Sequence, residues 1–307
     1  MRVVVVGLGV QGHKRCAVAG KEAVATVDPV NSDAKYRDIR DVPLGSYDAA
    51  LVCTPDEAKL ELLEFLLSNG KHVLVEKPLL ALRREQLEHI ASLARGRRLT
   101  CYTAYNHRFE PHFVRMKDLL ASARIGKVYC ARLFYGNGTA RLVRESAWRD
   151  QDPGVLPDLG SHLIDTALFW FGRPSAPFKV HSAKRFENRA FDHLAFGVDG
   201  SPLVQMEVTL LSWRNHFYAD IFAEGGSAHI QSLCKWGPST ITVRDRKLPS
   251  GRPDEESVTL VQPDPTWELE YRQFRKLCET GEGNVENDIW INDVLGDLAR
   301  QALQKAS

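Results

Sequence analysis

A glycine-rich turn close to the start of the chain carries the residue types that bind phosphate groups. It consists of Gly7, Leu8, Gly9, Val10, Gln11 and Gly12, and it directly follows a run of valines. Glycine lets the chain turn tightly and lets a pyrophosphate approach the backbone, and the N-terminus of the following helix offers N–H groups and partial positive charge. The pattern predicts a dinucleotide-binding site.

Asp28, at the end of the second apolar run, indicates which dinucleotide this turn would bind. A carboxylate about 20 residues after the glycine-rich turn accepts hydrogen bonds from the ribose diol of NAD and repels the 2′-phosphate of NADP. NAD is therefore the predicted cofactor, and NADP is the less favoured alternative. Arg37 and Arg40 follow Asp28 in the sequence, and either could supply a cation for a 2′-phosphate.

A second candidate site is the pair of Asp158 and His162, which lies within a helix predicted over residues 157–171. Their spacing places both side chains on one face of a helix. Oxidation of a secondary alcohol needs a base, and an unperturbed histidine titrates near pH ~6.5, which suits that task. The same spacing also occurs in pairs that are only surface contacts. A metal site would need further ligands at a suitable spacing, so none is predicted.

Arginines and a tryptophan cluster just before this helix and could bind a substrate. The arginines are Arg141, Arg144 and Arg149, and Trp148 stands beside the last of them. Arginine binds carboxylates and phosphates through paired hydrogen bonds, and tryptophan could stack on the apolar face of a sugar. A solvated loop and a core tryptophan are the alternatives. Arg108 and residues 213–216 are similar candidates.

The first third of the chain alternates apolar runs with helical patterns. The runs cover residues 3–6, 23–27, 49–53, 72–75 and 99–103, and helical patterns cover residues 57–67 and 84–94. Strands joined through helices by short links form a parallel sheet with right-handed crossovers. Residues 1–122 are therefore predicted to form a doubly wound α/β dinucleotide-binding domain.

Strand-like runs follow one another without intervening helices in the second half of the chain. They cover residues 127–135, 179–183, 193–198, 203–211, 217–223, 228–231 and 240–243. This pattern favours a mainly antiparallel open sheet. Helical patterns at residues 266–279 and 287–305 close the chain. Residues 123–307 are predicted to form an α/β domain for substrate binding and oligomerisation, whose closing helix could pack back on the first domain.

Two short motifs complete the pattern of a known family. Glu76-Lys77-Pro78 ends the fourth apolar run, and Asp158-Leu159-Gly160-Ser161-His162 opens the helix of the second domain. Together with the glycine-rich turn, they make the chain resemble the Gfo/Idh/MocA family of sugar and polyol dehydrogenases along its whole length. The resemblance implies a nicotinamide cofactor and an active site lined by Lys77, Asp158 and His162.

The resemblance also implies roles for residues near the cofactor. Glu76, Thr54, Pro55 and Asn106 match cofactor-contacting positions, and the Lys77–Pro78 peptide is often cis in relatives. Lys77 would stabilise a developing alkoxide, or it would relay the proton itself, which leaves open whether Lys77 or His162 is the base. The chain departs from the family at Lys59, where relatives commonly carry histidine, and in residues 154–156, which replace a glycine triplet.

Composition excludes several other classes of protein. The 307 residues carry a net charge of +1, and such a near-neutral charge gives no indication of nucleic-acid binding. No apolar run approaches the length of a membrane span. No Cys-x-x-Cys pair occurs among the six cysteines, which indicates free thiols in a reducing compartment. We expect a cytoplasmic protein, and we expect a homodimer or homotetramer that forms through an uncovered face of the second sheet.

The sequence therefore predicts an NAD(P)-dependent oxidoreductase. Its substrate would be a sugar, sugar nucleotide or polyol, and the arginine-rich segment favours a cyclic sugar with an anionic group. One alternative is a non-redox enzyme, such as a glycosidase that uses bound NAD transiently. Another is a cofactor-binding sensor without turnover.

Overall fold

A computed structural model describes residues 1–122, 124–146 and 149–306 of the chain. The strands are β1 (Val3–Val6), β2 (Ala23–Val27), β3 (Ala49–Val52), β4 (His72–Glu76), β5 (Cys101–Ala104), β6 (Val128–Gly136), β7 (Phe178–Lys184), β8 (His193–Val198), β9 (Leu203–Thr209), β10 (His216–Ala223), β11 (Gly226–Gln231), β12 (Ser239–Asp245) and β13 (Asp254–Leu260). The helices are α1 (Val10–Ala19), α2 (Asp56–Ser68), α3 (Arg84–Arg97), α4 (Pro111–Ala121), α5 (Ala140–Arg144), α6 (Ser161–Phe171), α7 (Thr266–Thr280) and α8 (Val285–Ala306).

The chain divides into two compact units. The first comprises Met1–Asn106 and Pro265–Asp293, and the second comprises His107–Asp264 and Val294–Ser307. The division therefore falls earlier than the predicted boundary at residue 122, because α4 belongs with the second unit. There the indole N–H of Trp170 on α6 donates to the backbone carbonyl of Phe113 on α4 over 3.1 Å.

The first unit contains a five-stranded parallel sheet in the order β2-β1-β3-β4-β5. All four residues of β1 are buried, as expected for a strand covered on both faces. Val4 and Val6 pack in the core formed with α2 and α3, whereas Val3 and Val5 pack with Phe274 of α7. This alternation explains why a continuous valine run was needed, and the predicted doubly wound sheet is confirmed.

The second unit contains an eight-stranded sheet in the order β13-β12-β11-β10-β6-β9-β8-β7. Neighbouring strands are antiparallel except for β6 and β9, which are parallel. In β6 the side chains of Ala131, Leu133 and Tyr135 are buried, while Arg132 is exposed and Phe134 is half-buried on the opposite face. The predicted, mainly antiparallel sheet is confirmed.

Two elements of the second unit differ from the predictions. The helix predicted over residues 157–171 begins with a π-helical turn, Leu156–Gly160, and continues as α6. Pro157 in that turn has no N–H to donate to a regular helix. Residues 249–256 have the polar composition of a loop, but Asp254 begins strand β13, which pairs along its length with β12. Its acidic residues gave no alternation of apolar and polar side chains.

Candidate functional site

The glycine-rich turn joins β1 to α1, and its first and last glycines are required by close packing. Gly7 has a φ of +92°, and a Cβ there would lie 2.7 Å from the carbonyl oxygen of Cys53. A Cβ at Gly12 would lie 1.8 Å from the carbonyl oxygen of Gly7. Any side chain at either position would therefore force the turn apart.

The middle of the turn, at Gly9, is open, whereas the two outer glycines, Gly7 and Gly12, are crowded. A Cβ at Gly9 would meet no atom within 4 Å among the residues that the structure describes. Gly9 is the N-cap of α1, and it makes no side-chain hydrogen bond to the amide groups of the first helical turn. Val10 is 73% exposed and Gln11 is also exposed, whereas Leu8 is buried. This arrangement fits the pyrophosphate of a dinucleotide.

The carboxylate of Asp28 is fixed against the turn. Its Oδ2 accepts from the backbone N–H of Leu8 over 2.7 Å, and its Oδ1 accepts from those of Val30 and Asn31 over 2.9 and 2.8 Å. Burial opposes ionisation of this carboxyl group, but the amide donors outweigh it and lower the pKa of Asp28. Asp28 is therefore a fixed anion at the position predicted to meet the ribose diol.

Arg37 lies next to this carboxylate, whereas Arg40 does not. The Arg37 Nη1 donates to the backbone carbonyls of Asn31 over 2.9 Å and Asp28 over 3.4 Å. Arg40 instead pairs with Asp38 and Glu61. Of the two arginines that the sequence offered for a 2′-phosphate, only Arg37 lies beside Asp28.

Arg15 on α1 links Glu76 of the Glu-Lys-Pro motif to Glu270 on α7. The Arg15 Nε donates to Glu76 Oε1 over 2.7 Å, and its Nη2 donates to Glu270 Oε2 over 2.7 Å. Arg15 is 1% exposed, and its guanidinium stacks 4.3 Å from the ring centroid of Trp267. Sequence reasoning missed Arg15 and Glu270, and the signal that could have found them is an arginine on a helix face that packs inward.

The turn after Glu76 is held by an unusual buried lysine. The Lys77–Pro78 peptide is cis, as the resemblance implies. Lys59 is 2% exposed, and its ammonium donates to the carboxylate of Asp56 over 2.6 Å and to the backbone carbonyl of Pro78 over 2.8 Å. The departure from the family pattern therefore places a cation against the residue that follows Lys77.

The remaining cofactor-contacting candidates lie at the ends of strands in the same unit. Thr54 and Pro55 follow β3, and Pro55 is the N-cap of α2. Asn106 follows β5 and donates through Nδ2 to Thr266 Oγ1 over 2.9 Å. The ends of parallel strands meet at one edge of a sheet, which is where such sheets bind ligands.

His162 lies in the second unit within a cluster of aromatic and imidazole rings. Its ring stacks on that of His107, with the centroids 3.9 Å apart and the planes 18° from parallel. The Tyr135 ring lies 5.8 Å from His162 and 5.4 Å from His107. Lys235 Nζ is 3.2 Å from His107 Nε2 and 3.5 Å from the Tyr135 hydroxyl. Sequence reasoning missed His107, Tyr135 and Lys235 as members of this site.

Asp158 lies on the π-helical turn that precedes α6, and its side chain is 45% exposed. Arg149 Nη2 is 3.8 Å from Asp158 Oδ2. Burial raises the pKa of Tyr135, and the nearby charges of Asp158 and Glu110 raise it further. The charge of Asp158, on the π turn, thus acts on Tyr135, and the ring of His162, on the α-helix, lies 5.8 Å from it.

The other predicted substrate-binding residues have different surroundings. Arg108 makes paired hydrogen bonds to the buried carboxylate of Asp165, the shortest being 2.6 Å from Nη2. It thereby attaches the segment at the start of the second unit to α6. Arg141 is exposed on α5, and Trp148 lies outside the described residues. His216 packs beside Phe134 on the opposite face of the sheet from Tyr135.

A buried acidic group lies next to Lys235. The Glu110 carboxylate is 1% exposed and accepts from the backbone N–H of Cys234 over 3.2 Å, while Cys234 Sγ is 3.9 Å from Asp264 Oδ1. Burial raises the pKa of Glu110, although the contact with Cys234 and the charge of Lys235 act in the opposite direction. The Glu110 contact fixes the short turn that carries Lys235.

Comparison with known proteins identifies the family. Residues 1–105 match the model described as an oxidoreductase family with an NAD-binding Rossmann fold, and residues 113–229 match the GFO/IDH/MocA C-terminal domain. The chain belongs to the Gfo/Idh/MocA oxidoreductase family. The resemblance inferred from the motifs is therefore confirmed, and the NAD-binding class of the first domain with it.

Among curated members of the Gfo/Idh/MocA family, inositol 2-dehydrogenase 2 of Saccharopolyspora erythraea is 26% identical over 82% of this chain and 78% of its own length. An uncharacterised oxidoreductase of Schizosaccharomyces pombe is 32% identical over 45% of this chain and 38% of its length. A scyllo-inositol 2-dehydrogenase (NADP(+)) of Bacillus subtilis is 28% identical over 50% and 42%. The chain thus spans about two fifths of the length of the last two relatives.

Solved structures of other proteins share the fold across almost the whole chain. An NAD-binding oxidoreductase from Klebsiella pneumoniae superimposes with a TM-score of 0.84 at 16% identity, covering 99% of this chain and 97% of the other. Levoglucosan dehydrogenase in complex with NADH gives 0.83 at 16% identity, with 99% and 97% covered. At such identities the likeness shows the fold of the family.

Proposed function

We propose that this protein is an NAD-dependent oxidoreductase that transfers a hydride between nicotinamide and a secondary alcohol of a sugar, sugar nucleotide or polyol. The observation that carries the proposal is the glycine-rich turn, which is open at Gly9 and faces the fixed carboxylate of Asp28. The Glu-Lys-Pro motif ends β4 of the same sheet. The names of relatives, which include inositol dehydrogenases, support a polyol or sugar as the substrate class.

The residues of the first unit would hold the cofactor through distinct groups. Backbone N–H groups of the turn would bind the pyrophosphate, Asp28 would accept from the adenosine ribose, and Asn106 would contact the nicotinamide ribose. Thr54, Pro55 and Glu76 would line the nicotinamide side. When bound, NAD supplies the carbon that accepts the hydride. NADP is the alternative, and Arg37 is the residue that would favour it.

We assign the proton chemistry to Lys77, Asp158 and His162. His162 would take the proton from the substrate hydroxyl, because a histidine is half-protonated near neutral pH. Lys77 would stabilise the negative charge that develops on the same oxygen. Asp158 would orient the substrate or the imidazole. The alternative assignment makes Lys77 the proton acceptor, and pH profiles of the two variants separate these roles.

Arg149 is the best supported of the proposed substrate-binding arginines, because its guanidinium lies 3.8 Å from Asp158. Arg141 and Trp148 stay as predictions from the sequence. Arg108 was proposed as a substrate ligand, but its paired bonds to Asp165 favour a role in holding α6. An anionic sugar would be recognised by Arg149, and a neutral polyol would leave the Arg149–Asp158 contact intact.

Net reduction of NAD is the experiment that tests the proposed activity. Purified protein is incubated with NAD and a set of inositols, hexoses, uronic acids and glycosides. NADH formation is followed by its near-ultraviolet absorbance, and consumption of each compound is followed by chromatography. The proposal expects net NADH with at least one member. Conversion of a glycoside without net NADH would favour the non-redox alternative, and tight cofactor binding with no conversion of any compound would favour a sensor.

We further propose a cytoplasmic homodimer or homotetramer. All six cysteines are free thiols, which supports a reducing compartment. Among the described residues, no helix is both long and apolar enough to cross a membrane.

The face of the second sheet opposite Tyr135 presents Phe134 stacked on Tyr218, together with Phe222, which is 39% exposed. Phe222→Glu should lower the mass measured by light scattering, whereas Phe186→Glu should not; a monomeric wild-type chain would contradict the assembly.

A further inference from the structure

Lys235 and His107 form a contact whose chemistry fixes the proton on the imidazole. The ammonium of Lys235 lies 3.2 Å from His107 Nε2. An ammonium group has three hydrogens to donate and no lone pair, so Nε2 of His107 must be the acceptor. A neutral imidazole carries one N–H, which leaves the proton of His107 on Nδ1. Protonation of His107 would set two cations against each other.

Lys235 is held in this position by several neighbours. Its ammonium lies 4.9 Å from the Trp236 ring centroid and 5.8 Å from that of Tyr135, both of which favour the charged form. The short helical turn Cys234–Trp236 that carries it is fixed by the bond from the Cys234 N–H to Glu110. The contact with His107 is therefore held in place by several neighbouring residues of the second unit.

His107 transmits this constraint to His162 through ring stacking. The two rings are 3.9 Å apart and nearly parallel, so two imidazolium ions in this geometry would repel each other strongly. His107 is also 1% exposed, which disfavours a charge on it further. A neutral His107 leaves His162 as the ring of this pair that can accept a proton.

We propose that Lys235 is a positioning residue that keeps His107 neutral as the Nδ1–H tautomer, so that the proton exchanged during catalysis resides on His162. This inference rests on the proposed function, in which His162 acts as the base. Among the described residues of the second unit, charged and titratable groups near the pair include Asp165 on α6, Arg108 beside His107, Tyr135 on β6, Lys235, Glu110, and Asp158 with Arg149.

Nitrogen-15 NMR of the imidazole side chains tests the inference directly on the full-length protein with NADH bound. In the wild-type protein His107 should show a bare Nε2 and a protonated Nδ1, and it should not titrate over the pH range in which His162 does. In Lys235→Met, His107 should take up a proton or change tautomer. Turnover should fall by roughly 10- to 100-fold, by analogy with the loss of a group that orients a metal-binding histidine.

Matched variants separate a positioning role from general damage. Lys235→Arg keeps a cationic donor and should restore the His107 signal and most of the turnover. Lys179→Met removes an exposed lysine from β7 and should change neither. NADH affinity should stay within about twofold of wild type in all three variants, because the groups that bind it lie in the first unit.

Two results would overturn the inference. One is a protonated Nε2 on His107 in the wild-type protein, a measurement that needs no variant to fold. The other is a Lys235→Met protein with an unchanged His107 signal and pH profile. Failure of the proposed function is distinguishable from both, because it would show as wild-type turnover in His162→Ala whatever the tautomer of His107.

Discussion

Arg15 joins two carboxylates in the interior of the first unit: its guanidinium lies 2.7 Å from Glu76 and 2.7 Å from Glu270. Burial disfavours the charge of Arg15, but the attraction of Glu270 and Glu76 outweighs it and raises the pKa of Arg15 above its ordinary value. Arg15 follows the last glycine of the turn on the same helix. The Arg15 side chain therefore holds α1, the helix that would meet the cofactor, against Glu76 at the end of β4.

Removal of Arg15 should be strongly destabilising. Arg15→Met leaves two carboxylates buried without their cation, and breaking a buried ion pair in this way costs about 3–5 kcal/mol. Urea unfolding followed by circular dichroism measures the loss. Arg95→Met is the matched control, because Arg95 pairs with Glu286 at the surface and such pairs contribute about 0–1 kcal/mol. Equal effects of the two substitutions would contradict the role assigned to Arg15.

Asp28 should determine the choice of cofactor. Wild-type protein should bind NADH more tightly than NADPH, because the ionised carboxylate repels a 2′-phosphate. Asp28→Ser should narrow the difference, and Asp28→Ser combined with Arg37→Ala should weaken NADPH again by removing the neighbouring cation. Fluorescence titration of both reduced cofactors measures these affinities. Tighter binding of NADPH by the wild-type protein would refute the assignment.

Glu110 should make the stability of the wild-type protein fall as pH rises. Its pKa is raised in the folded state, so above the ordinary carboxyl range the unfolded chain has released a proton that the folded chain still holds. The contribution of Glu110 to stability is fully present at acidic pH, where this group is protonated in both states, and it is lost as pH increases through the raised pKa of Glu110. Glu110→Gln should remove this slope in urea unfolding measured across pH. An identical slope in the variant would rule out Glu110 as its source.

The acidic limb of the pH profile should identify the proton acceptor. His162→Ala should lower turnover by roughly 10²- to 10⁴-fold and abolish the limb, because it removes the general base. Lys77→Ala should be at least as damaging but should leave the limb visible. The reverse pattern, with the limb lost in Lys77→Ala and kept in His162→Ala, would show that Lys77 is the proton acceptor.

The parts of the fold that could be predicted are those with local signals. A run of buried valines next to glycines marks a central parallel strand, and β1 with its turn follows that rule. The start of strand β13 could not be predicted from its own residues, because Asp254, Glu255 and Glu256 are acidic and this part is stabilised by pairs across to β12, such as Arg244 with Glu255. Its existence depends on a neighbour and not on hydrophobic periodicity.

The candidate site divides in the same way. Lys77 and His162 stand in motifs that can be read along the chain, whereas the surroundings of His162 come from separate elements. His107 precedes α4, Tyr135 lies on β6, and Lys235 follows β11. None of these three has a neighbour in sequence that indicates its role, so only the packing of the second unit shows that they meet.

Transfer of deuterium tests the central claim most directly. The protein is incubated with NAD and the polyol or sugar that supports NADH formation, labelled with deuterium at the carbinol carbon, and the reduced cofactor is examined by mass spectrometry. Direct hydride transfer predicts one deuterium in each NADH molecule formed. Labelled NADH should appear more slowly with Lys77→Ala and His162→Ala, in proportion to their loss of turnover. Product that forms while the label passes to solvent, or NADH that remains unlabelled, would contradict direct hydride transfer.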